Sequence, residues 1–347
     1  MTDTSGGSPA ARSAAPAGPL VLGPEATRAA LDPVRVLEAV SAALIAVSEG
    51  TVSAPPRIAA TGPQGLLGAM PAYVPGLGLA AKLVTVFPDP GRPGRSTHRG
   101  VVALFDEDDG RLAALVDAEP LTAVRTAASA TAAMRALARP DAARIAVVGT
   151  GAQATAQLAL LAALAGANDA RRPERPDLPG PAGGSPVGPA GARIVVAGRD
   201  PGRARVLAAA FPGAAAAPIE DAVRGADVVF CCTGAREPVV EAGWLAPGTH
   251  VSSVGGSEGH ELDRATVEAG ALFTEWTGAV TAAPPAGAHE LQGLAPERAV
   301  LIGSVLSGRH PGRRDAREIT VFKSTGHAAL DVAAARVVRD AAVAPPG

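Results

Sequence analysis

The sequence has few of the residues by which several classes of protein are recognised. It contains only two cysteines, Cys231 and Cys232, and because neighbouring residues of a strand point to opposite faces, these two are badly placed to bridge each other. We therefore expect two reduced cysteines in a cytoplasmic protein. The six histidines occur singly, without the paired spacing of metal ligands, so we predict no metal site.

An excess of one charge and a long apolar run are missing as well. The formal net charge is -2 and the two signs are interspersed, so there is no basic surface for nucleic acid or an anionic membrane. No stretch approaches the roughly 18 apolar residues of a membrane span. The polar residues 1–20 lack the apolar core of a signal peptide and are typical of a disordered tail. A small molecule is the expected partner.

The length and apolar content of the chain predict two domains. A chain of 347 residues, 47% of them apolar, can bury two hydrophobic cores. The first region begins with a helix over 32–50, which Asp32 starts and Gly50 ends. It closes with a helix over 121–139, for which Thr122 is the expected cap. Between the two helices lie the predicted strands of an antiparallel sheet, 77–88, 98–106 and 111–117.

From Arg144 onward short strands alternate with helices, a pattern typical of a parallel sheet. The sequence thus predicts an α/β protein, with a doubly wound Rossmann-type sheet in a second domain over 140–317. The first domain covers 21–138 and is α+β, and a strand and a helix over about 318–345 complete it. Residues 167–192 are rich in Pro, Gly and Arg and indicate a disordered insertion.

The segment "RIAVVGTGAQA" places Gly149, Gly151 and Ala154 in a G-x-G-x-x-A pattern between a predicted strand and helix. The first glycine permits the tight turn, the second lets the backbone approach a pyrophosphate, and the small third residue lets helix meet strand. The helix N-terminus offers free N–H groups to the phosphates. This pattern predicts dinucleotide binding, and the alternative is a turn that is merely tight.

The end of the next predicted strand bears on the choice of dinucleotide. An acid at this place holds the ribose hydroxyls of NAD, and an arginine accommodates the 2′-phosphate of NADP. Here Arg199 comes first, Asp200 follows it and Arg203 is close behind. We favour NADP(H) for this reason, and Asp200 leaves NAD(H) open. Solvated charges at the start of a helix are the alternative for all three residues.

Three cations stand where local structure does not favour them. Lys82 lies inside the apolar run "LAAKLVTVF", where a buried ammonium needs an anion, unless the strand is an edge that lysine protects from aggregation. Arg125 is predicted in the first turn of its helix, at the positive end of the dipole. Arg57 follows two prolines that stiffen the backbone. The three could converge on one carboxylate. No serine or cysteine lies in a recognisable nucleophile elbow, and hydride transfer needs none.

A series of motifs resembles the ornithine cyclodeaminase and mu-crystallin family, in order over residues 56–335. The matching segments are PPR, MPAY, KLVTVFP, STHRGVVALFD, LTAVRTAASA, VVGTGAQA, ADVVFCCTGAREPVV, PGTHVSSVGG, ELD and EITVFKSTGHAALDVAAA. The resemblance implies a homodimer whose first domain supplies the dimer sheet and the substrate pocket, while the second domain holds the dinucleotide. It also implies an amino or imino acid as the substrate.

The resemblance implies roles for individual residues. Arg57 and Lys82 would grip the substrate carboxylate, and Thr97 and Arg125 would reach the cofactor and the pocket. The remaining positions carried over are Gly149, Gly151, Ala152 and Gln153 at the pyrophosphate, Thr233 along the dinucleotide, Ser253, Val254 and Gly255 on the nicotinamide side, and Ser324 and Thr325 at the mouth of the pocket.

Members of this family catalyse different reactions, and one loop bears on the choice. The cyclodeaminases carry an aspartate after the paired glycine, in a stretch resembling G-G-D-x-P-G-K-x-E-L. This chain has Ser257 in that place, and the segment before "ELD" is two residues shorter. A serine cannot activate an amine at neutral pH as a carboxylate can. We therefore expect an imine reductase or an alanine-dehydrogenase-type enzyme, with Lys82, Glu258 or His260 handling the proton. A cyclodeaminase and a ligand-binding crystallin-like protein are the alternatives.

Overall fold

Two sheets organise the computed structural model, which describes residues 18–87, 98–170, 192–256 and 258–344. The first sheet has six strands, β1 (Leu20–Leu22), β2 (Ile58–Gly62), β3 (Gly65–Val74), β4 (Gly78–Val86), β5 (His98–Phe105) and β6 (Leu112–Asp117). The second has eight, β7 (Arg144–Val148), β8 (Arg193–Ala197), β9 (Ala214–Ala216), β10 (Val228–Cys231), β11 (His250–Ser253), β12 (Ala271–Thr274), β13 (Ala299–Leu301) and β14 (Thr320–Lys323).

Ten helices accompany these strands within the described ranges. They are α1 (Pro24–Ala30), α2 (Pro33–Glu49), α3 (Ala118–Leu137), α4 (Ala152–Ala170), α5 (Pro201–Ala209), α6 (Ile219–Arg224), α7 (Arg264–Ala269), α8 (Gly278–Thr281), α9 (Ile302–Leu306) and α10 (Ala328–Val343). In the part of the chain covered by the structure, no helix combines the length and the apolar content that crossing a bilayer requires.

The first sheet has the strand order β1-β6-β5-β4-β3-β2, antiparallel throughout except that β1 runs parallel to β6. Helix α10 packs against β3 to β6, and α2 and α3 pack against α10. Their apolar side chains form one buried cluster that includes Val40, Leu44, Val102, Leu121 and Leu330. One face of the sheet is therefore covered by helices, as a half-buried antiparallel sheet requires.

The second sheet has the strand order β13-β12-β14-β11-β10-β7-β8-β9, and all its pairs are parallel. This is the Rossmann-type sheet that the sequence predicts. The sequence predicts that the strand at Thr320–Lys323 returns to the first domain, but it lies inside this sheet, between β11 and β12. Its run "TVFK" is buried at every position, which suits a central parallel strand. Only α10 returns to the first sheet.

Helix boundaries agree with the sequence at α2 and differ at α3. The Asp32 side chain accepts bonds from the second and third backbone N–H groups of α2, and Gly50 ends that helix with a left-handed φ of 70°. The cap predicted at Thr122 is wrong: α3 starts earlier, and Asp117 caps it by accepting a bond from Glu119 N. Arg125 consequently lies beyond the first turn, so the dipole argument for its special role does not hold.

Several elements were not predicted. The structure adds β1, α1, β2, β3 and β13, which are short or lie in Gly- and Pro-containing stretches where periodicity is weak. Helix α4 extends to Ala170, past the expected start of the insertion at residue 167. Residues 1–17 and 171–191 lie outside the described residues, so the predicted tail and most of the predicted insertion stay predictions.

Candidate functional site

Lys82 lies on the face of the first sheet that the helices cover. It pairs with Met70 and Val102 on the neighbouring strands, so it is not an edge-strand lysine. Its ammonium is 3.7 Å from Asp331 Oδ1 and donates to Thr122 Oγ1 at 2.9 Å. Only 7% of the residue is exposed, and this burial lowers the pKa of Lys82 to about 8, against the opposing effect of Asp331.

Arg125 reaches the same carboxylate from α3. Its Nε donates to Asp331 Oδ1 at 3.1 Å, and both side chains are buried. Asp331 stands in the first turn of α10, where an acid also suits the helix dipole. Its second oxygen, Oδ2, is buried without a hydrogen-bond partner among the described residues. Asp331 thus joins β4 and α3 to α10.

Arg57 completes the group of cations. It donates to the backbone carbonyls of Thr325 at 3.4 Å and Gly326 at 3.2 Å. Burial and then the neighbouring Arg125 lower the pKa of Arg57, while Asp331 and Glu275 oppose the shift. Arg57 forms no ion pair with any described carboxylate. Three cations therefore lie beside two buried carboxylates, Asp331 and Glu275, which leaves one positive charge in excess for an anionic ligand.

The loop that follows β14 is fixed by a second buried acid, Glu275. Its carboxylate accepts bonds from Ser129 Oγ at 2.6 Å, Ser324 Oγ at 2.9 Å and Gly326 N at 2.8 Å. The neighbouring Trp276 donates from Nε1 to Thr325 Oγ1 at 3.0 Å. Ser324 and Thr325, which the family resemblance places at the pocket, are thus held by two successive residues after β12.

His327 lies beside this cluster and was not identified from the sequence. Its ring is 5.6 Å from that of Trp276, measured between centroids, and its Nδ1 accepts from Ala329 N at the start of α10. Burial lowers the pKa of His327, and Glu275 and Asp331 oppose that shift. The imidazole is therefore a neutral capping group at pH 7, next to the cations.

The G-x-G-x-x-A segment has the geometry that its glycines predict. Gly149 has a φ of 132°, and a side chain there would overlap the carbonyl of Cys232. Space in front of Gly151 is open, since a Cβ there would meet no atom within 4 Å. Ala154 is fully buried where α4 meets the sheet. Ala152 is the first residue of α4, and Gln153 has a buried Oε1 without a partner in the described chain.

At the end of β8, Arg199 is exposed and Asp200 is engaged locally. The Asp200 carboxylate caps α5, because its Oδ1 accepts from Gly202 N at 2.8 Å and from Arg203 N at 3.1 Å. The Arg203 guanidinium donates to Thr150 O at 3.3 Å, in the turn between β7 and α4. The acid thus has a structural role, while the guanidinium of Arg199 faces solvent.

Of the three residues proposed to handle the proton, only Lys82 lies in the cation cluster. Glu258 pairs with Arg236 at 3.0 Å on the surface, and its side chain is 61% exposed. His260 is exposed too, with its ring 6.0 Å from that of His289. Neither forms a described bond with the cluster. Thr97 and Ser257 lie outside the described residues.

The two halves of the site meet at the ends of neighbouring strands. Ser253 ends β11 and is paired with Lys323 at the end of β14. Ser324 N donates to Ser253 O at 2.9 Å, so the loop beneath Arg57 adjoins the loop of Val254 and Gly255. This edge is the carboxyl end of an open parallel sheet, where such folds bind their ligands.

Comparison with known proteins gives consistent results. A family model described as the ornithine cyclodeaminase/mu-crystallin family matches residues 25–174 and 198–345. The Delta(1)-pyrroline-2-carboxylate reductase of Paracoccus denitrificans is 33% identical over 284 residues, 78% of this chain and 81% of that protein. The ketimine reductase mu-crystallin of Mus musculus is 30% identical over 280 residues, 80% of each. A solved archaeal alanine dehydrogenase dimer with bound NAD is 26% identical, covers 94% of this chain and 96% of that one, and has a TM-score of 0.76.

The ion cluster makes Asp331 essential for stability. Asp331→Asn leaves Lys82 and Arg125 buried without their carboxylate, so we expect the free energy of unfolding to fall by about 3–5 kcal/mol. Asp340→Asn is the matched control on the same helix, since Asp340 pairs with Arg336 near the surface, and its loss should cost about 1 kcal/mol or less. Urea unfolding measures both. Equal losses in the two variants would contradict this account of the cluster.

Proposed function

Because the chain belongs to the ornithine cyclodeaminase/mu-crystallin family, we propose that it is an NAD(P)H-dependent oxidoreductase acting at the α-carbon of a small imino or amino acid. The observation that carries this proposal is the group of Arg57, Lys82 and Arg125. Its three positive charges outnumber the two negative charges of Asp331 and Glu275. A substrate carboxylate would supply the missing anion. The group adjoins the edge of the sheet where a dinucleotide would lie.

The residues of the first domain would bind and orient the substrate. Arg57 and Lys82 hold its carboxylate, and Arg125 and Thr325 border the pocket. A nicotinamide, when bound, supplies the hydride for the C=N carbon. Lys82 is the best placed source of the proton for the nitrogen, because its pKa of about 8 lets it hold and release a proton near neutral pH.

The second domain would hold the dinucleotide. The turn at Gly149 and the open approach to Gly151 suit a pyrophosphate at the start of α4. Ala152 and Gln153 offer the first groups of that helix, and Thr233 and the segment from Ser253 to Gly255 would line the rest of the cofactor. The orphaned Gln153 Oε1 is a further group that a ligand could satisfy.

The experiment that tests this function follows NADPH absorbance. Cyclic imino acids, and pyruvate with ammonia or methylamine, are supplied in turn. We expect oxidation of the cofactor with at least one of them, and the absence of turnover across the panel would contradict the proposal. A cyclodeaminase would instead form proline and ammonia from ornithine with no net change in absorbance. Tight cofactor binding without any turnover would indicate a crystallin-like binding protein.

The pH dependence of turnover should follow the protonation state of Lys82. The protonated ammonium is the form that binds a carboxylate, so kcat/KM should be high below pH 8 and fall as the pH rises through about 8. In Lys82→Arg the guanidinium stays charged, and this decline should vanish from whatever activity remains. A decline that persists unchanged in the arginine variant would assign it to another group.

Lys82→Met provides the complementary measurement. Turnover should be lost, while the Kd for NADPH should change less than about threefold, because the described contacts of Lys82 are with Thr122 and Asp331 and not with the dinucleotide-binding edge. A collapse of cofactor affinity would show that Lys82 belongs to the cofactor site.

We propose NADP(H) as the preferred cofactor, because Arg199 is free at the end of β8 while Asp200 is occupied as a helix cap. Arg199→Asp should shift the ratio of kcat/KM values at least about tenfold toward NADH, through loss of a charge-assisted contact with the 2′-phosphate. Arg205→Asp makes the same change of charge elsewhere on exposed α5 and should leave the ratio within about twofold. Equal shifts of the ratio in the two variants would show a general effect of the charge change and would contradict a specific contact of Arg199 with the 2′-phosphate.

We also propose that the protein is a homodimer. The face of the first sheet opposite Lys82 carries a row of paired residues across four strands, Ile58, Ala69, Leu83 and Val101. The three large ones are exposed, and Leu67, Leu79 and Phe87 add to the exposed apolar surface of these strands and their ends. An apolar face of this kind marks an association surface, and a second copy of the sheet is the occupant that the family resemblance implies.

Leu83→Asp tests the dimer. Leu83 is 37% exposed in the middle of the row, and a carboxylate there should convert the dimer to a monomer in sedimentation or light scattering. Val206→Asp is the matched control, because Val206 is 75% exposed on α5 of the other domain. It should leave the mass unchanged. A wild-type monomer, or a Leu83→Asp variant that stays dimeric, would contradict the proposal.

A further inference from the structure

Glu261, the first residue of the "ELD" segment, has a fully buried carboxylate. Among the described residues, it accepts four hydrogen bonds, from the segment after β10 and from the end of β11 and the loop after it. Its Oε1 accepts from Thr233 N and Thr233 Oγ1, both at 2.7 Å. Its Oε2 accepts from Ser253 Oγ at 2.7 Å and Gly255 N at 2.8 Å. Thr233 lies two residues after β10, Ser253 is the last residue of β11, and Gly255 lies two residues after that strand. One side chain therefore ties together the loops at the ends of adjacent strands.

The two loops also contact each other directly. Gly256 N donates to Thr233 O at 3.2 Å, and a side chain at Gly255 would overlap that same carbonyl. The two loops are thus in direct contact, and Glu261 bonds to both. Thr233, Ser253 and Gly255 are also residues that we propose to line the dinucleotide, so the carboxylate lies directly behind the cofactor-binding surface.

Lys323 balances the charge of Glu261 and connects it to another acid. Its ammonium donates to Ser253 Oγ and Gly255 O, both at 2.8 Å, and is 3.9 Å from Glu261 Oε2. On its other side it is 2.9 Å from Glu290 Oε1. Glu290 is as deeply buried as its partners but forms no described hydrogen bond to either loop. Two acids thus share one ammonium, and only one of them touches the loops.

We propose that Glu261 is a positioning residue for the dinucleotide, which fixes the loops after β10 and β11 in the shape that binds the cofactor. The inference rests on the proposed function.

Only a carboxylate can accept bonds at both oxygens here. An amide of the same size presents N–H groups on one side, so either the Thr233 pair or the Ser253 and Gly255 pair would face another donor. A buried donor without an acceptor is costly, and the affected loop would move.

The test compares Glu261→Gln with Glu290→Gln, two isosteric changes that each remove one negative charge from Lys323. The readouts are the Kd for NADPH by titration calorimetry, the KM for the imino acid at saturating NADPH, and the midpoint of urea unfolding. Glu261→Gln should raise the Kd at least about tenfold, the equivalent of one unsatisfied buried hydrogen bond. The KM should change less than about threefold, and Glu290→Gln should leave the Kd within about threefold.

A milder pair of variants covers the case in which Glu261→Gln does not fold. Ser252 and Ser253 are adjacent buried hydroxyls on β11, but Ser253 bonds Glu261 and Ser252 bonds the carbonyl of Ala130 on α3. Ser253→Ala should raise the Kd for NADPH about threefold or more, because Glu261 loses one of its four donors. Ser252→Ala should leave the Kd unchanged.

The outcomes separate the inference from the function on which it rests. Equal increases of Kd in Glu261→Gln and Glu290→Gln would assign the effect to the charge of Lys323 and overturn the positioning role. An unchanged Kd in both Glu261→Gln and Ser253→Ala would overturn it as well. No binding of NADPH or NADH by the wild-type chain would overturn the proposed function itself, and this inference with it.

Discussion

The contact of Asp331 with Lys82 and Arg125 is the interaction on which the rest of the site depends. The two cations come from β4 and α3, whose backbones are fixed by the first sheet and its core, while the carboxylate comes from α10 near the end of the chain. Burying two charged groups is expensive unless an anion compensates them. The ion pairs of Asp331 therefore hold α10 against β4 and α3. They also help to position the loop that joins β14 to α10.

That loop connects the two sheets. β14 is an interior strand of the second sheet and α10 packs on the first, so the few residues between them contact both. Glu275 fixes this loop from β12 through Ser324 and Gly326, and Glu261 fixes the loops after β10 and β11. Each buried acid accepts bonds mainly from neutral donors of the loops that it holds. Buried carboxylates thus hold the loops at the ends of these strands, and the cations Arg57, Lys82 and Arg125 lie next to the loop after β14.

Much of this arrangement could be predicted from the sequence. The alternation of strands and helices after Arg144 indicated the parallel sheet, because parallel strands need helical crossovers between them. The charge of Lys82 inside an apolar run indicated a buried ion cluster, because a buried cation needs an anion beside it. The partner Asp331 was missed, although a lone acid in the run "HAALDVAAA" is the same kind of signal. The position of β14 could not be read from the order of elements, since a strand pairs according to tertiary contacts that lie far away in sequence. Glu258 and His260 were chosen for their chemistry, but no sequence rule predicts that the salt bridge with Arg236 would hold Glu258 at the surface.

In the proposed reaction, the cations around Asp331 present an imine carbon to a hydride donor held at the end of the second sheet. This proposal is tested most directly by supplying NADPH that carries deuterium at the transferable position together with a cyclic imino acid, and analysing the product by mass spectrometry. We expect an amino acid with one deuterium at the α-carbon and an equal amount of oxidised cofactor. A product that contains no deuterium, or deuterium that remains entirely in the cofactor while substrate is consumed, would contradict it.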